Sequence, residues 1–378
     1  MTRSFAAALR RANRLMRPAK LGKTAKSLQS AMTGFWVKSA LAPLAALHPK
    51  AVKRRKAALP RAGHSLGAVI TQLRAAQSLL LGTGPKDKVP AVLARVPVGA
   101  QYLSRTHRTT AGARGYKLYL PASHPKRPVG LIVMLHGCTQ NPDDFAAGTH
   151  MNALAEKHGL AIAYPAQTKS DNSASCWNWF KPGDQMRGSG EPAILASLTR
   201  KLAKEFGLGR DAVFVAGLSA GGAMAAILAD VYPELFSAAG IHSGLARGTA
   251  RDVLSAMSAM RNGGAPPTTM APQPNPVRRI VFHGEADSTV HPSNAAMLVA
   301  AVVGEDAKPA KVSTRALRGR RYTRSEFAAA DGSTLVDLWM IEGAGHAWSG
   351  GRAAGSFTDR QGPDASAQMV RFFMTTVA

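Results

Sequence analysis

The pattern of apolar and polar positions divides this chain into two unlike parts. From about residue 112 onward, short, mostly apolar runs alternate with stretches whose apolar residues recur every three to four positions. The runs at 130–136, 160–164, 212–216, 237–241, 279–283 and 335–341 predict strands, and the unbroken run at 130–136 reads as a central strand covered on both faces. Residues 115–121 alternate and stop at a proline, which predicts an edge strand. Helical spacing predicts helices over 151–158 (closed by Gly159), 192–206 (closed by Gly207), 223–230, 251–260, about 294–302 and 365–375. A long loop runs through Trp177 and Trp179, and 262–276 reads as a Pro/Gly loop. Alternating strands and helices predict an α/β class with a doubly wound, mostly parallel sheet. In such sheets the chemistry gathers at the carboxyl ends of the strands.

Before residue 111 that strand pattern is missing. Phe5, Leu9, Ala12 and Met16 recur at helical spacing with Arg10, Arg11, Arg14 and Arg17 among them, which predicts a short basic amphipathic helix. Residues 69–81 read as a second helix, in a region otherwise expected to be partly disordered. Charge sharpens the division. Residues 1–110 hold 21 Lys/Arg against one acid, Asp87, a net +20, whereas 111–378 hold 27 against 21, a net +6. The expected organisation is therefore a basic N-terminal region, 1–110, and a nearly balanced domain, 111–378. The basic region suits an anionic surface such as a membrane, a granule or a polyanion. Only Phe5, Phe35, Trp36 and Tyr102 are aromatic before residue 111, so the interleaved aromatics of an RNA-binding module are missing and specific nucleic-acid recognition is not expected. No 18-residue uncharged apolar stretch predicts a transmembrane helix, and the arginines interrupt any signal-peptide core in residues 1–20. Two cysteines leave the redox compartment open.

Candidate chemistry centres on Gly217-Leu-Ser-Ala-Gly221, between the 212–216 strand and the 223–230 helix. A serine at a sharp strand-to-helix turn sits in a strained backbone, and glycines two residues to either side relieve the crowding. The turn lifts Ser219 to a helix N-terminus, where developing negative charge is favoured. A serine nucleophile needs a base and a carboxylate that orients it, on loops after later strands. Asp287, with Glu285 as runner-up, follows the 279–283 strand, and glycine-flanked His346 follows the 335–341 strand. His136, His242, His283 and His291 lie at strand or helix ends and suit supporting roles. An oxyanion hole needs two aimed backbone N–H groups. Ala220 follows the nucleophile, and Cys138 follows Gly137 in the turn after the 130–136 strand. Trp177 and Trp179 either wall the acyl or alcohol group or pack in the core. No metal or organic cofactor is needed for such chemistry.

Five motifs in this order, Leu135-His-Gly-Cys-Thr-Gln140, Cys176-Trp-Asn-Trp-Phe180, Gly217-Leu-Ser-Ala-Gly221, His283-Gly-Glu-Ala-Asp287 and Gly345-His-Ala-Trp348, resemble the poly(3-hydroxybutyrate) (PHB) depolymerase family of esterases. The resemblance covers roughly 112–378. It implies an α/β-hydrolase fold, a Ser219–Asp287–His346 triad and Cys138 as an oxyanion donor. It also implies hydrolysis of poly- or oligo-(3-hydroxybutyrate) or related short-chain hydroxyacid esters, and an extracellular setting; the family's typical signal peptide is not recognisable, and the alternative is a cytoplasmic protein associated with a granule or membrane surface. Feruloyl or acetylxylan-type and generic short-chain esterases are the enzymatic alternatives. A surface-binding protein on a hydrolase scaffold is the non-enzymatic one, and an intact Ser, Asp and His argue against it. Cys138 and Cys176 lie in two of these motifs and are expected to form a disulfide, the alternative being two reduced buried thiols. The bond would close a loop of about 37 residues and contribute about 3–4 kcal/mol by chain entropy.

Overall fold

The computed structural model describes residues 96–264 and 276–375. The chain divides into two units, Met1–His64 and Ser65–Ala378, and every described residue belongs to the second. The expected basic helices at Phe5–Met16 and 69–81, and most of the 262–276 loop, lie outside the described residues.

Largely apolar strands, buried along most of their length, can be covered on both faces, and six of them form the parallel heart of the sheet. These are β3 (Gly130–Leu135), β4 (Leu160–Pro165), β5 (Val213–Leu218), β6 (Ala238–His242), β7 (Arg278–Gly284) and β10 (Thr334–Ile341). Antiparallel strands flank them: β1 (Gln101–Thr109) and β2 (Gly112–Leu120) on one side, β8 (Lys311–Leu317) and β9 (Arg320–Ala328) on the other. The order across the ten strands is β1-β2-β4-β3-β5-β6-β7-β10-β9-β8. From β3 the winding runs one way to β4 and the other way to β5, so the switch point adjoins the β3 and β5 carboxyl ends.

Alternate side chains of each central strand feed two cores. Leu131, Val133 and Leu135 of β3, with Val213 and Val215 of β5, pack on one face; Ile132, Met134, Phe214, Ala216 and Leu218 pack on the other. The first face is covered by α3 (Gly190–Phe206), α4 (Ala220–Val231) and α5 (Val253–Asn262). The second is covered by α1 (Pro142–Thr149), α2 (Met151–His158) and α7 (Ala365–Met374). A seventh helix, α6 (Ser293–Val303), lies against β7 and β10. Gly159 and Gly207 close α2 and α3 in the left-handed region (φ 68° and 67°), where glycine carries no Cβ penalty. No helix among the described residues is long and apolar enough to cross a membrane.

The structure corrects three expectations. The sheet starts at Gln101, ten residues before the expected 110/111 boundary. The strand expected at the edge, β2, lies inside, because β1 pairs with it from Gln101↔Leu120 to Thr109↔Gly112. The strands β8 and β9 and the helix α1 were not expected at all. β1 reads QYLSRTHRT and β8 reads KVSTRAL; both are edge strands wetted along most of their length, so neither needs an apolar face. The β8–β9 turn is Arg318-Gly319 with both φ positive (49° and 80°), the geometry a two-residue hairpin demands.

Candidate active site

The turn between β5 and α4 is built as its glycines require. A Cβ on Gly217 would lie 2.3 Å from the Gly221 carbonyl group, and one on Gly221 would lie 2.0 Å from the Leu135 oxygen. Between them Ser219 takes φ 58° and ψ −120°, a sparsely populated conformation that costs on the order of 1–3 kcal/mol. It holds the N-cap position of α4, yet its side chain makes no capping bond, which leaves the hydroxyl available. Its backbone is held at both ends: Ser219 N–H donates to the His242 oxygen (2.9 Å), and its oxygen accepts from Ala223 N–H (2.9 Å).

The loops after β7 and β10 are stitched together. Glu285 N–H donates to Ile341 O (2.9 Å), Ala286 N–H donates to Ala344 O (3.0 Å), and a Cβ on Gly284 would lie 2.2 Å from that same Ala344 oxygen. This brings Asp287 Oδ2 to 2.8 Å from His346 Nδ1. Asp287 Oδ1 accepts from Thr289 N–H (2.9 Å) and Val290 N–H (2.8 Å). Burial alone would raise this carboxyl, but His346, His283 and the Val290 N–H outweigh it and hold it at about 2. Asp287 is thus an anion that fixes His346 with Nδ1–H donating and Nε2 free to accept a proton. Of the two candidate carboxylates, Asp287 meets His346; Glu285 lies at the surface, where partial burial and the neighbouring Glu342 charge push its carboxyl up.

Three other histidines are fully buried rivets. His136 accepts Gln167 N–H at Nε2 (3.0 Å) and so donates from Nδ1 to Gly137 O (2.8 Å). His242 accepts Ser349 N–H at Nε2 (3.0 Å), and His283 donates from Nε2 to Val290 O (2.8 Å). Burial lowers all three, His136 to about 4 and His242 to about 3, so each stays neutral. His242 joins the site's halves: its carbonyl holds Ser219, and its ring is within electrostatic reach of His283, His346 and Asp287.

The turn after β3 presents the other backbone group singled out by sequence. Gly137 O accepts from both His136 Nδ1 and Gln140 N–H (3.2 Å), which fixes the Gly137–Cys138 peptide plane. In a trans peptide the Cys138 N–H then points the opposite way. No hydrogen bond among the described residues takes up the N–H of Cys138 or of Ala220. A disulfide joins Cys138 to Cys176, with Cα atoms 4.2 Å apart, and Thr139 N–H donates to Ala174 O (2.8 Å), so the Trp loop is fastened to this turn.

The Trp side chains do not form an open wall. Trp177 is fully buried and its indole N–H donates to His136 O (3.1 Å); Trp179 is 4% exposed and packs edge-on against Phe180. Both belong to the core beneath the turn, because a long loop needs its own apolar filling. Sequence reading passed over Glu191, buried at the start of α3. It accepts from Asn178 N–H (2.7 Å) and Asn178 Nδ2 (2.7 Å) and pairs with Arg114 (3.2 Å). An acid in the first turn of a helix was the available signal, but an ordinary N-terminal charge gives the same one.

Known proteins resemble parts of this chain. Poly(3-hydroxyalkanoate) depolymerase C of Paucimonas lemoignei is 30% identical over 243 residues, which cover 60% of this chain and 56% of that protein. Probable acetylxylan esterase A of Aspergillus clavatus is 28% identical over 197 residues, covering 48% and 62%. The chain thus spans about half the length of these curated relatives. Among solved structures, an acetyl xylan esterase from Aspergillus awamori matches with a TM-score of 0.53 at 23% identity, over 65% of this chain and 93% of that one. That likeness is one of fold, the α/β-hydrolase fold. The family profile described as esterase PHB depolymerase matches residues 114–320, more than half of the chain, and the chain belongs to that family.

Proposed function

We propose that this chain is a serine carboxylic-ester hydrolase with Ser219 as nucleophile, His346 as base and Asp287 as its orienting anion. The observation that carries the reading is the Asp287–His346 bond, at the same sheet edge as a serine held in a strained turn. Ser219 Oγ attacks the ester carbonyl and its proton passes to His346 Nε2. The resulting oxyanion is met by the N–H groups of Cys138 and Ala220. As the carbon–oxygen bond to the alcohol breaks, His346 returns the proton to the leaving alkoxide. Water, deprotonated by His346, then opens the acyl-enzyme and restores Ser219.

The substrates that best fit family membership are poly- or oligo-(3-hydroxybutyrate) and related short-chain hydroxyacid esters. Relatives named acetylxylan esterase favour a second reading, ester bonds on plant polysaccharide. A disulfide beside the site suits an oxidising, extracytoplasmic compartment. The experiment is a fluorophosphonate label mapped to its residue, followed by a panel of nitrophenyl esters of rising length, hydroxybutyrate oligomers, acetylated xylan and feruloylated sugars. Labelling at Ser219 with preference for hydroxybutyrate oligomers is expected. Preference for acetylated xylan would move the assignment to the second reading, and failure to label or cleave any ester would end both.

A further inference from the structure

Gln140 lies at the centre of a bridge between the turn that bears Cys138 and the segment that follows His346. It is 4% exposed. Its Oε1 accepts from Gly137 N–H (2.9 Å), while its backbone N–H donates to Gly137 O (3.2 Å). Gln140 thus holds both peptide planes that meet at Gly137, together with His136 Nδ1 on the Gly137 oxygen and Trp177 on the His136 oxygen. Its Nε2 points the other way and donates to Asp144 Oδ2 (3.0 Å), Ser356 O (3.0 Å) and Ser356 Oγ (3.3 Å). Asp144 is anchored in its turn: its Oδ1 accepts from Ser356 N–H (2.8 Å), and its Oδ2 accepts from Ser356 Oγ.

Ser356 belongs to the loop between β11 (Trp348–Ser349) and β12 (Thr358–Asp359); β11 begins two residues after His346. The next residue, Phe357, meets the His346 ring edge-on at 6.5 Å. The Gln140 amide thus ties the turn of one candidate oxyanion donor to the loop that seats the candidate base. Orientation matters here. At neutral pH an amide of this length offers an acceptor to Gly137 N–H and a donor to Asp144 and Ser356 at once, which an ionised carboxylate cannot.

We infer that Gln140 is a positioning residue for ester hydrolysis, setting the aim of the Cys138 N–H relative to His346. This rests on the hydrolase reading above. A displaced donor weakens stabilisation of the tetrahedral oxyanion and leaves substrate binding nearly alone, so the effect falls on kcat rather than KM.

The test compares Gln140→Glu, Gln140→Met, Ser356→Ala and Ser219→Ala in the full chain, with thermal unfolding as the check of folding. Gln140→Glu keeps the acceptor for Gly137 N–H but sets a carboxylate against Asp144. Its kcat at pH 7 is expected to fall about 100-fold with KM within about threefold, the scale of a misaimed catalytic group. Its rate relative to wild type should recover as pH falls, because the buried carboxyl beside Asp144 takes up a proton and regains a donor. Gln140→Met should show the fall without the recovery. Ser356→Ala, at an exposed position, removes only the hydroxyl, and its kcat should fall about threefold to tenfold, the scale of one hydrogen bond. It carries the test if the Gln140 variants do not fold. Wild-type kcat in the folded Gln140 variants, or in Ser356→Ala where those do not fold, overturns the inference alone. A Ser219→Ala protein that still turns over ester overturns the hydrolase reading and this inference with it.

Discussion

β3 and β8 belong to one sheet yet obey opposite rules. β3 is buried at all six positions, its alternate side chains enter two different cores, and its last residue opens the turn of Cys138. β8 is the outermost strand, exposed at six of its seven positions, with Val312 and Leu317 among the exposed apolar side chains. The comparison teaches that the carboxyl ends of the central strands can hold strained and polar groups because the strands beneath are fixed by packing on both faces. Strained Ser219 and the buried His136, His242 and His283 all stand at the ends of such strands. The outer strands carry no such burden, and their sequence is correspondingly free.

The largest expected effect tests the chemistry at the central edge. Ser219→Ala should lower turnover by about 10⁴-fold or more, and His346→Ala by a similar factor, because such groups act as a unit. Both proteins should keep wild-type circular dichroism and unfolding midpoints. A folded Ser219→Ala that retains most of its turnover would falsify the assignment of the nucleophile.

Packing offers the next contrast. Leu131→Ala, in fully buried β3, should cost about 2–5 kcal/mol of stability. Leu317→Ala, at the exposed end of β8, should stay within about 0.5 kcal/mol. Urea unfolding of the pair measures the difference, and equal costs would dissolve the distinction between the two strands. The disulfide sharpens it further. Cys138→Ser with Cys176→Ser, which opens a loop between positions 38 apart, should cost about 3–4 kcal/mol. Unchanged stability in that double variant would mean the bond contributes little beyond local geometry.

Legibility in the sequence follows the same division. β3 and β5 were visible as unbroken apolar runs because burial on both faces leaves no other choice, and β7 as a short apolar stretch between Arg279 and His283. The glycines at 217, 221 and 284 were visible as motif positions, and the close approaches at each explain why a side chain is excluded there. β1 and β8 were not visible, since a wet edge strand needs neither alternation nor apolar content. The Trp loop was read only as far as its aromatic residues. Whether an indole faces substrate or core depends on a carbonyl at His136, 41 positions away. Glu191, Gln140 and Ser356 act through partners set by tertiary folding, so although Glu191 stands in a helix's first turn and Gln140 in a motif, local pattern does not assign their roles.

Acid should act on the central edge first. The folded protein holds His136 at about 4 and His242 at about 3, below the 6.5 of an unperturbed histidine, so the unfolded chain binds protons that the folded one refuses. Stability is therefore full above pH 6.5 and declines as pH falls toward 4 and 3, by about 1.4 kcal/mol per pH unit for each histidine. Asp287 has the same sign in a lower window. Its depressed carboxyl contributes fully above 3.8, and that contribution is lost as pH falls from there through about 2, so it plays no part in the decline between pH 6.5 and 4. Urea midpoints at pH 7.5, 6 and 5 check this; identical midpoints would contradict the neutral, buried state of these rings.

The smallest effect is expected from the basic N-terminal region, and it tests how far the division of labour extends along the chain. Residues 1–110 carry +20, and every proposed catalytic group follows residue 135. We propose that this segment holds the enzyme to an anionic surface by Coulomb attraction and counterion release, both weakened by salt. Its removal should leave turnover of a soluble ester within about twofold, since none of its residues is among the proposed catalytic groups. Turnover of an ester presented on an anionic surface should fall, and high salt should reproduce much of that fall in the full-length protein. The cut must spare β1, because Gln101–Thr109 pairs along its whole length with β2. Deletion of residues 1–95 meets that condition, whereas a cut at 105 would strip half of an edge strand and expose β2. A folded protein lacking 1–95 that loses soluble-ester turnover tenfold would show that the arm completes the catalytic domain rather than locating it.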